Sequence, residues 1–160
     1  MNIFYLDEDI TTNSKYHCNK HVIKMLIEYT QILCSAYYVT DSIPNNIYKA
    51  THKNHPCCIW ARESLSNWIW LRDMTLALHE EYQHRYNKTH KSGELVKTLP
   101  IPNIKDIGVT KRPQAMPVQY RDLNTVLAYR NYYKAEKMHL IIDNNENIGY
   151  KNRDIPNWIY

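Results

Sequence analysis

The chain has 160 residues, of which 44% are hydrophobic, and a formal net charge of +4. That length suits one domain spanning 1–160, with a core large enough to need no disulfide or metal staple. No apolar run is long enough to span a bilayer, Asp7, Glu8 and Asp9 interrupt any secretory leader, and three glycines are too few for a glycine-built nucleotide cradle.

Asn2 to Leu6 is a short apolar segment that reads as an N-terminal arm packed into the body. Thr11, Thr12 and Asn13 offer capping oxygens for a first long helix ending near Tyr38. From Lys15 onward this helix is apolar round most of its circumference, through Val22, Ile23, Leu26, Ile27, Tyr29, Leu33, Cys34 and Tyr37. Steps of four and three residues place His17, His21, Lys24, Glu28 and Gln31 in one line along it. A thin seam carrying imidazoles, an ammonium and a carboxylate points to the lining of a cleft; the competing reading is a strip of solvent on a buried helix.

Asp41 to Lys53 forms a polar connection broken at Pro44-Asn45-Asn46. A second long helix starts at Asn54-His55-Pro56, where proline suits the first helical position. Trp60, Ser64, Trp68, Leu71, Thr75, Leu78 and Tyr82 recur at helical spacing as its core stripe, with a kink expected near Ser64 to Asn67 and an end near Tyr86. Asn87 to Arg121 contains Pro100, Pro102, Pro113 and Pro117 and, apart from a short helix around Glu94 to Lys97, reads as a long ordered loop of the kind that carries function. A third long helix is capped at Asp122 or Asn124 and runs to about Ile142. It turns Val126, Tyr129, Tyr133 and Leu140 inward and sets Arg130, Lys134 and Lys137 on another side. A polar turn, Asp143 to Arg153, leads to the terminal Ile155-Pro156-Asn157-Trp158-Ile159-Tyr160. The expected fold is mainly α: a single compact domain of three long helices with a short N-terminal arm and a long proline-rich loop.

Four cysteines, Cys18, Cys34, Cys57 and Cys58, fall within expected helices and read as reduced thiols of a cytoplasmic protein. His17 and His21 have the spacing that lets two imidazoles share an ion, and His52 and His55 add donors, yet the pattern matches no standard zinc spacing. No metal and no cofactor is assigned. Glu28, two turns beyond His21, suits general acid or base work, or a salt bridge to Lys24. His52, Lys53 and His55 stand at a helix N-terminus, where free N–H groups attract phosphate. Lys111 and Arg112 precede Pro113-Gln114-Ala115-Met116-Pro117, a rigid segment able to touch bases.

This order of features resembles the phage-type pyrimidine-dimer DNA glycosylases with abasic-site lyase activity. Their histidine seven residues before a catalytic glutamate is matched by His21 and Glu28, their second-helix start by Asn54-His55-Pro56, and their C-terminal Pro-x-Trp by Pro156-Asn157-Trp158. The chain is also similar to proteins of large marine tailed phages. The family resemblance implies a nucleophilic N-terminal α-amine, whose ordinary pKa of about 8 leaves far more neutral amine at pH 7 than lysine has. Asn2 is bulky enough for Met1 to be kept, so the implied catalytic set is Met1, Glu28 and His21. The implied binding set is His17, Lys24, His52, Lys53, His55, Arg112, Gln114 and Arg130. The implied partner is double-stranded DNA with damaged pyrimidines, met by a monomer with no membrane attachment, in a host cytoplasm if the source is viral. The alternatives are a non-catalytic nucleic-acid or nucleotide binder on the same scaffold, a histidine-based metal-dependent nuclease or hydrolase, and a host-interaction protein.

Overall fold

Ile3, Phe4, Tyr5 and Leu6 are buried in an arm that, among the described residues, pairs with no strand, so their backbone groups need side-chain partners. They find them: Tyr29 Oη accepts the Phe4 N–H at 3.0 Å, Asn13 Oδ1 accepts the Leu6 N–H at 2.9 Å, and Asn13 Nδ2 donates to the Phe4 carbonyl at 3.2 Å. This computed structural model describes residues 1–40, 42–144 and 146–160. The expected starting residue of the polar connection, Asp41, and Asn145 within the expected polar turn lie outside the described residues.

The described residues are mainly helical: α1 (Ile10–Tyr16), α2 (Asn19–Tyr37), α3 (Pro56–Glu63), α4 (Leu65–Tyr86), α5 (Lys91–Thr98) and α6 (Thr125–Glu136). A two-stranded antiparallel hairpin, β1 (Ile142–Asp143) with β2 (Glu146–Asn147), follows α6. One hydrophobic core joins the arm, α2, α3, α4, the inner face of α6 and the tail.

The first long helix of the sequence reading is two helices. α1 starts earlier than expected because Asp9, not Thr11, Thr12 or Asn13, caps it by accepting the Thr12 N–H. The chain breaks at His17 and Cys18, both in extended conformation. Neither proline nor glycine causes this. Arg85 Nη2 donates to the Lys15 carbonyl at 2.9 Å, the His17 ring bonds the Asn13 carbonyl and Tyr29 Oη, and Tyr133 Oη accepts the Cys18 N–H at 3.0 Å. Distant polar groups thus replace the helical hydrogen bonds. The solvent face of α2 is broader than the thin polar seam, because Ile23 and Ile27, expected among the apolar positions, are both exposed.

α3 and α4 meet at the expected kink. Ser64 is extended, and Asp106 of the proline-rich loop accepts from the hydroxyls of Ser64 and Ser66 and from the Ser66 N–H, capping α4 from outside. These bonds and the Gly108 N–H hold the Asp106 carboxyl down at about 2. α6 stops at Glu136 rather than near Ile142; a single 3-10 turn, Met138–Leu140, leads into the hairpin, Ile141 is fully buried, and the expected inward Leu140 is half-buried.

Candidate active site

Two turns of α2 separate His21 from Glu28, and both face one cavity of about 220 Å³. The arm contributes Met1, Asn2 and Phe4 to it, the proline-rich loop Ala115, and the region of α6 Tyr132 and Lys137. The Met1 α-amine lies 3.8 Å from Glu28 Oε2, with the Met1 and Glu28 side chains only 3% and 14% exposed. The same carboxylate oxygen accepts the Asn2 N–H at 3.1 Å. Lys24 Nζ stands 3.5 Å from Oε1 but is 67% exposed, so that pair contributes little to stability.

Asn2 fixes the start of the arm. Its amide nitrogen donates to the Ala115 carbonyl at 3.0 Å, and its Oδ1 accepts from Tyr129 Oη at 2.8 Å and from the Ile3 N–H. The Met1 thioether sits 3.4 Å from Cys58 Sγ at the start of α3. Burial pushes the Cys57 thiol up to about 12 and raises that of Cys58, so both pack as neutral thiols. Sequence reasoning missed Asn2, Tyr129 and Tyr133 as supports of this site. The available signal was an amide at the second position of an otherwise apolar arm.

The His21 ring stacks on Phe4 at 4.6 Å, and Phe4 lies parallel to Tyr132 at 6.4 Å. His21 Nδ1 is 2.6 Å from Tyr133 Oη, which already accepts the Cys18 N–H. The phenolic proton is therefore free to go to Nδ1, leaving the ring proton on Nε2. Burial, and then the nearby His17, Lys137 and Lys24, pull His21 down to about 3, so the imidazole is neutral at physiological pH.

The remaining residues of the expected site divide. His17 does not line the cavity: it is fully buried, both ring nitrogens are bonded inside the protein, and burial lowers it to about 4. His55 caps α3 through Nδ1, which accepts the Cys57 N–H at 3.2 Å; burial and then the N-terminal ammonium lower its pKa. His52 and Lys53 are exposed in the turn before α3, where His52 has a left-handed backbone and its ring bonds Thr51 Oγ1. Arg130 lies in neither recess: it donates to the Leu6 carbonyl and to Asp7 and stacks over Tyr16 and Trp158, tying α6 to the arm and the tail.

Arg112 and Gln114 border a second, basic cleft of about 490 Å³ together with Pro56, Lys111 and Arg121. Arg112 pairs with Glu8 and lies 5.1 Å over both the Tyr5 and Trp70 rings. Gln114 lines this cleft and the next residue, Ala115, lines the amine cavity, so the two recesses share one stretch of backbone. A wider depression of about 560 Å³, lined by Gln83, Asn87, Lys88 and Thr89, brings together no acid–base pair. Among the described residues no three His, Cys, Asp or Glu side chains gather as a metal-ligand set, and no helix is long and apolar enough to cross a membrane.

A family model described as pyrimidine dimer DNA glycosylase matches residues 1–93, more than half of the chain. The matched part holds the arm, the whole of α2 with His21 and Glu28, and the α3–α4 pair. No curated protein and no solved structure matches the chain.

Proposed function

The chain belongs to the pyrimidine dimer DNA glycosylase family, and from that premise we propose that it excises damaged pyrimidines and cuts the abasic strand, with the Met1 amine as nucleophile and Glu28 as acid and base. The observation that carries this reading is the 3.8 Å approach of the Met1 amine to Glu28 Oε2 inside a cavity bordered by Lys24 and Lys137. An amine and a carboxylate held together, with flanking ammonium groups to hold phosphates, are the groups an imine-forming lyase requires.

The Met1 nitrogen attacks C1′ of the damaged nucleotide while Glu28 takes up an amine proton. The glycosidic C1′–N bond breaks, and the base leaves with the bonding electron pair and is protonated by solvent. The C1′–O4′ bond then opens: O4′ receives the proton from Glu28, and the C1′–N link becomes a protonated imine. Glu28, again a carboxylate, removes a C2′ proton and the 3′ phosphate departs by elimination. Neutral His21 supplies an Nε2–H donor near the sugar oxygens without adding charge. DNA phosphates are held by Lys24 and Lys137 at the cavity and by Lys111, Arg112 and Arg121 in the basic cleft, with His52, Lys53 and His55 at the adjoining start of α3.

Borohydride trapping on ultraviolet-irradiated and abasic duplexes tests the reading. A reduced covalent adduct that peptide mass spectrometry places on Met1 is the expected result. Folded protein that yields neither adduct nor strand cleavage overturns it. Wild-type protein that binds duplex in a salt-sensitive way yet gives neither adduct nor cleavage would instead indicate the non-catalytic binder.

A further inference from the structure

Leu123 is 102% exposed, with Val118 at 75% and Leu127 at 48% on the same stretch of chain. Scattered apolar residues on a surface are ordinary, but this leucine occupies an unusual place. Asn124 caps α6 by accepting the Leu127 N–H, which puts Leu123 immediately before the cap and buried Ala128 at the fourth helical position. A hydrophobic residue before the cap ordinarily folds down onto that fourth position and fixes the chain's approach to the helix. Leu123 makes no such contact and stands in solvent.

It is nevertheless held on a rigid base. Gln114 grips Asp122 at both backbone positions, donating to its carbonyl at 2.6 Å and accepting its N–H at 3.0 Å, and Asp122 Oδ1 accepts the Asn124 N–H at 2.8 Å. Asp122 and Arg121 border the basic cleft, and Ala115, next to Gln114, borders the amine cavity. A bare leucine is thus fixed on a braced turn beside cations suited to phosphates, and Gln114 ties that turn to the backbone that borders the amine cavity.

We propose that Leu123 is a wedge that enters the base stack of duplex DNA at the lesion and fills the space left when a nucleotide leaves the stack. Duplex DNA matches both properties of this edge: its phosphates complement Lys111, Arg112 and Arg121, and the gap between parted base pairs is an apolar slot for a leucine side chain. Gln114 then acts as a brace for the wedge rather than as a reader of bases. The inference rests on the DNA-acting function proposed above.

The test compares wild type, Leu123→Ala and Leu123→Phe on abasic sites in duplex and in single-stranded oligonucleotides, with 2-aminopurine beside the site reporting unstacking. Leu123→Ala is expected to cleave single strands like wild type. On duplex it should lose at least about tenfold in kcat/KM, the order of one leucine side chain's burial, together with the rise in fluorescence. Leu123→Phe should keep both. Equal duplex cleavage and an equal fluorescence rise in wild type and Leu123→Ala would overturn the wedge. If wild type cleaves neither substrate, the enzyme reading fails, and the fluorescence comparison still decides whether Leu123 parts the bases. A wild type that raises no fluorescence on duplex also overturns the wedge.

Discussion

His21 shows how the state of a single side chain is set by its neighbours in the fold. Tyr133 fixes which nitrogen carries the proton, Phe4 fixes the plane of the ring, and burial holds the ring neutral by lowering it to about 3. Nitrogen-15 spectra should therefore show the Nε2–H tautomer of His21 unchanged between pH 8 and 5. An imidazolium signal at pH 6 would contradict the arrangement. Tyr133→Phe removes the donor to Nδ1 and strands the Cys18 N–H, so a mixture of tautomers is expected, with a loss of about 1–3 kcal/mol in unfolding free energy. At Glu28 the change is chemical rather than structural. Glu28→Gln keeps an acceptor for the Asn2 N–H but cannot shuttle protons, so strand scission should fall about 10²- to 10⁴-fold while duplex binding stays within a few-fold of wild type.

The elements differ in how far local residues determine them. The start of the second helix was legible because Pro56 and His55 act on their own neighbourhood, one by fixing backbone geometry and the other by capping. The core stripe was legible on each side of the kink, because helical spacing turns Trp60 inward on α3 and brings Trp68, Leu71, Thr75 and Leu78 to the inner face of α4. The same spacing brought His21 and Glu28 to a common cavity in sequence, since both lie on the unbroken part of α2. His17 fell out of register because the chain breaks just beyond α1, and that break depends on Arg85, Tyr29 and Tyr133, far away in sequence. Nor did any local pattern reveal that Arg130 is occupied by Leu6, Asp7 and two aromatic rings. The α4–α5 junction is a further long-range fit. A Cβ on Gly93 would lie 2.2 Å from Cγ of the buried His79 ring, whose Nε2 accepts the His90 N–H. The ring is buried and held through Nε2, so Gly93→Ala should cost about 1–3 kcal/mol by urea denaturation, with the amine cavity unaffected. A stability equal to wild type would show that α4 and α5 are free to part.

At the scale of the whole molecule, buried histidines dominate the expected response to acid. His17 and His21 are lowered to about 4 and about 3, chiefly by burial, while in the unfolded chain each titrates at its ordinary value of about 6.5. Between those values the unfolded state binds protons that the folded state refuses, so unfolding free energy rises with pH in this window and is lost as pH falls. Each histidine contributes a slope of up to about 1.4 kcal/mol per pH unit there. His55, His79 and His90, also lowered by burial, act in the same direction. Carboxylates join only at lower pH. Burial opposes the ionised form of Glu81, but Arg153 and Arg85 overcome it and lower its pKa, so its contribution disappears as pH falls below the ordinary glutamate range. The prediction is a urea midpoint that is flat between about pH 7 and pH 8, declines from about pH 6.5 downward, and steepens below about pH 4.5. His17→Gln should make the upper part of that decline shallower even though the variant is less stable at neutral pH, because the glutamine does not titrate. A wild-type midpoint that holds constant from pH 7 to pH 5 would mean that these imidazoles exchange protons freely in the folded state, and the neutral His21 donor at the cavity would then have no physical basis.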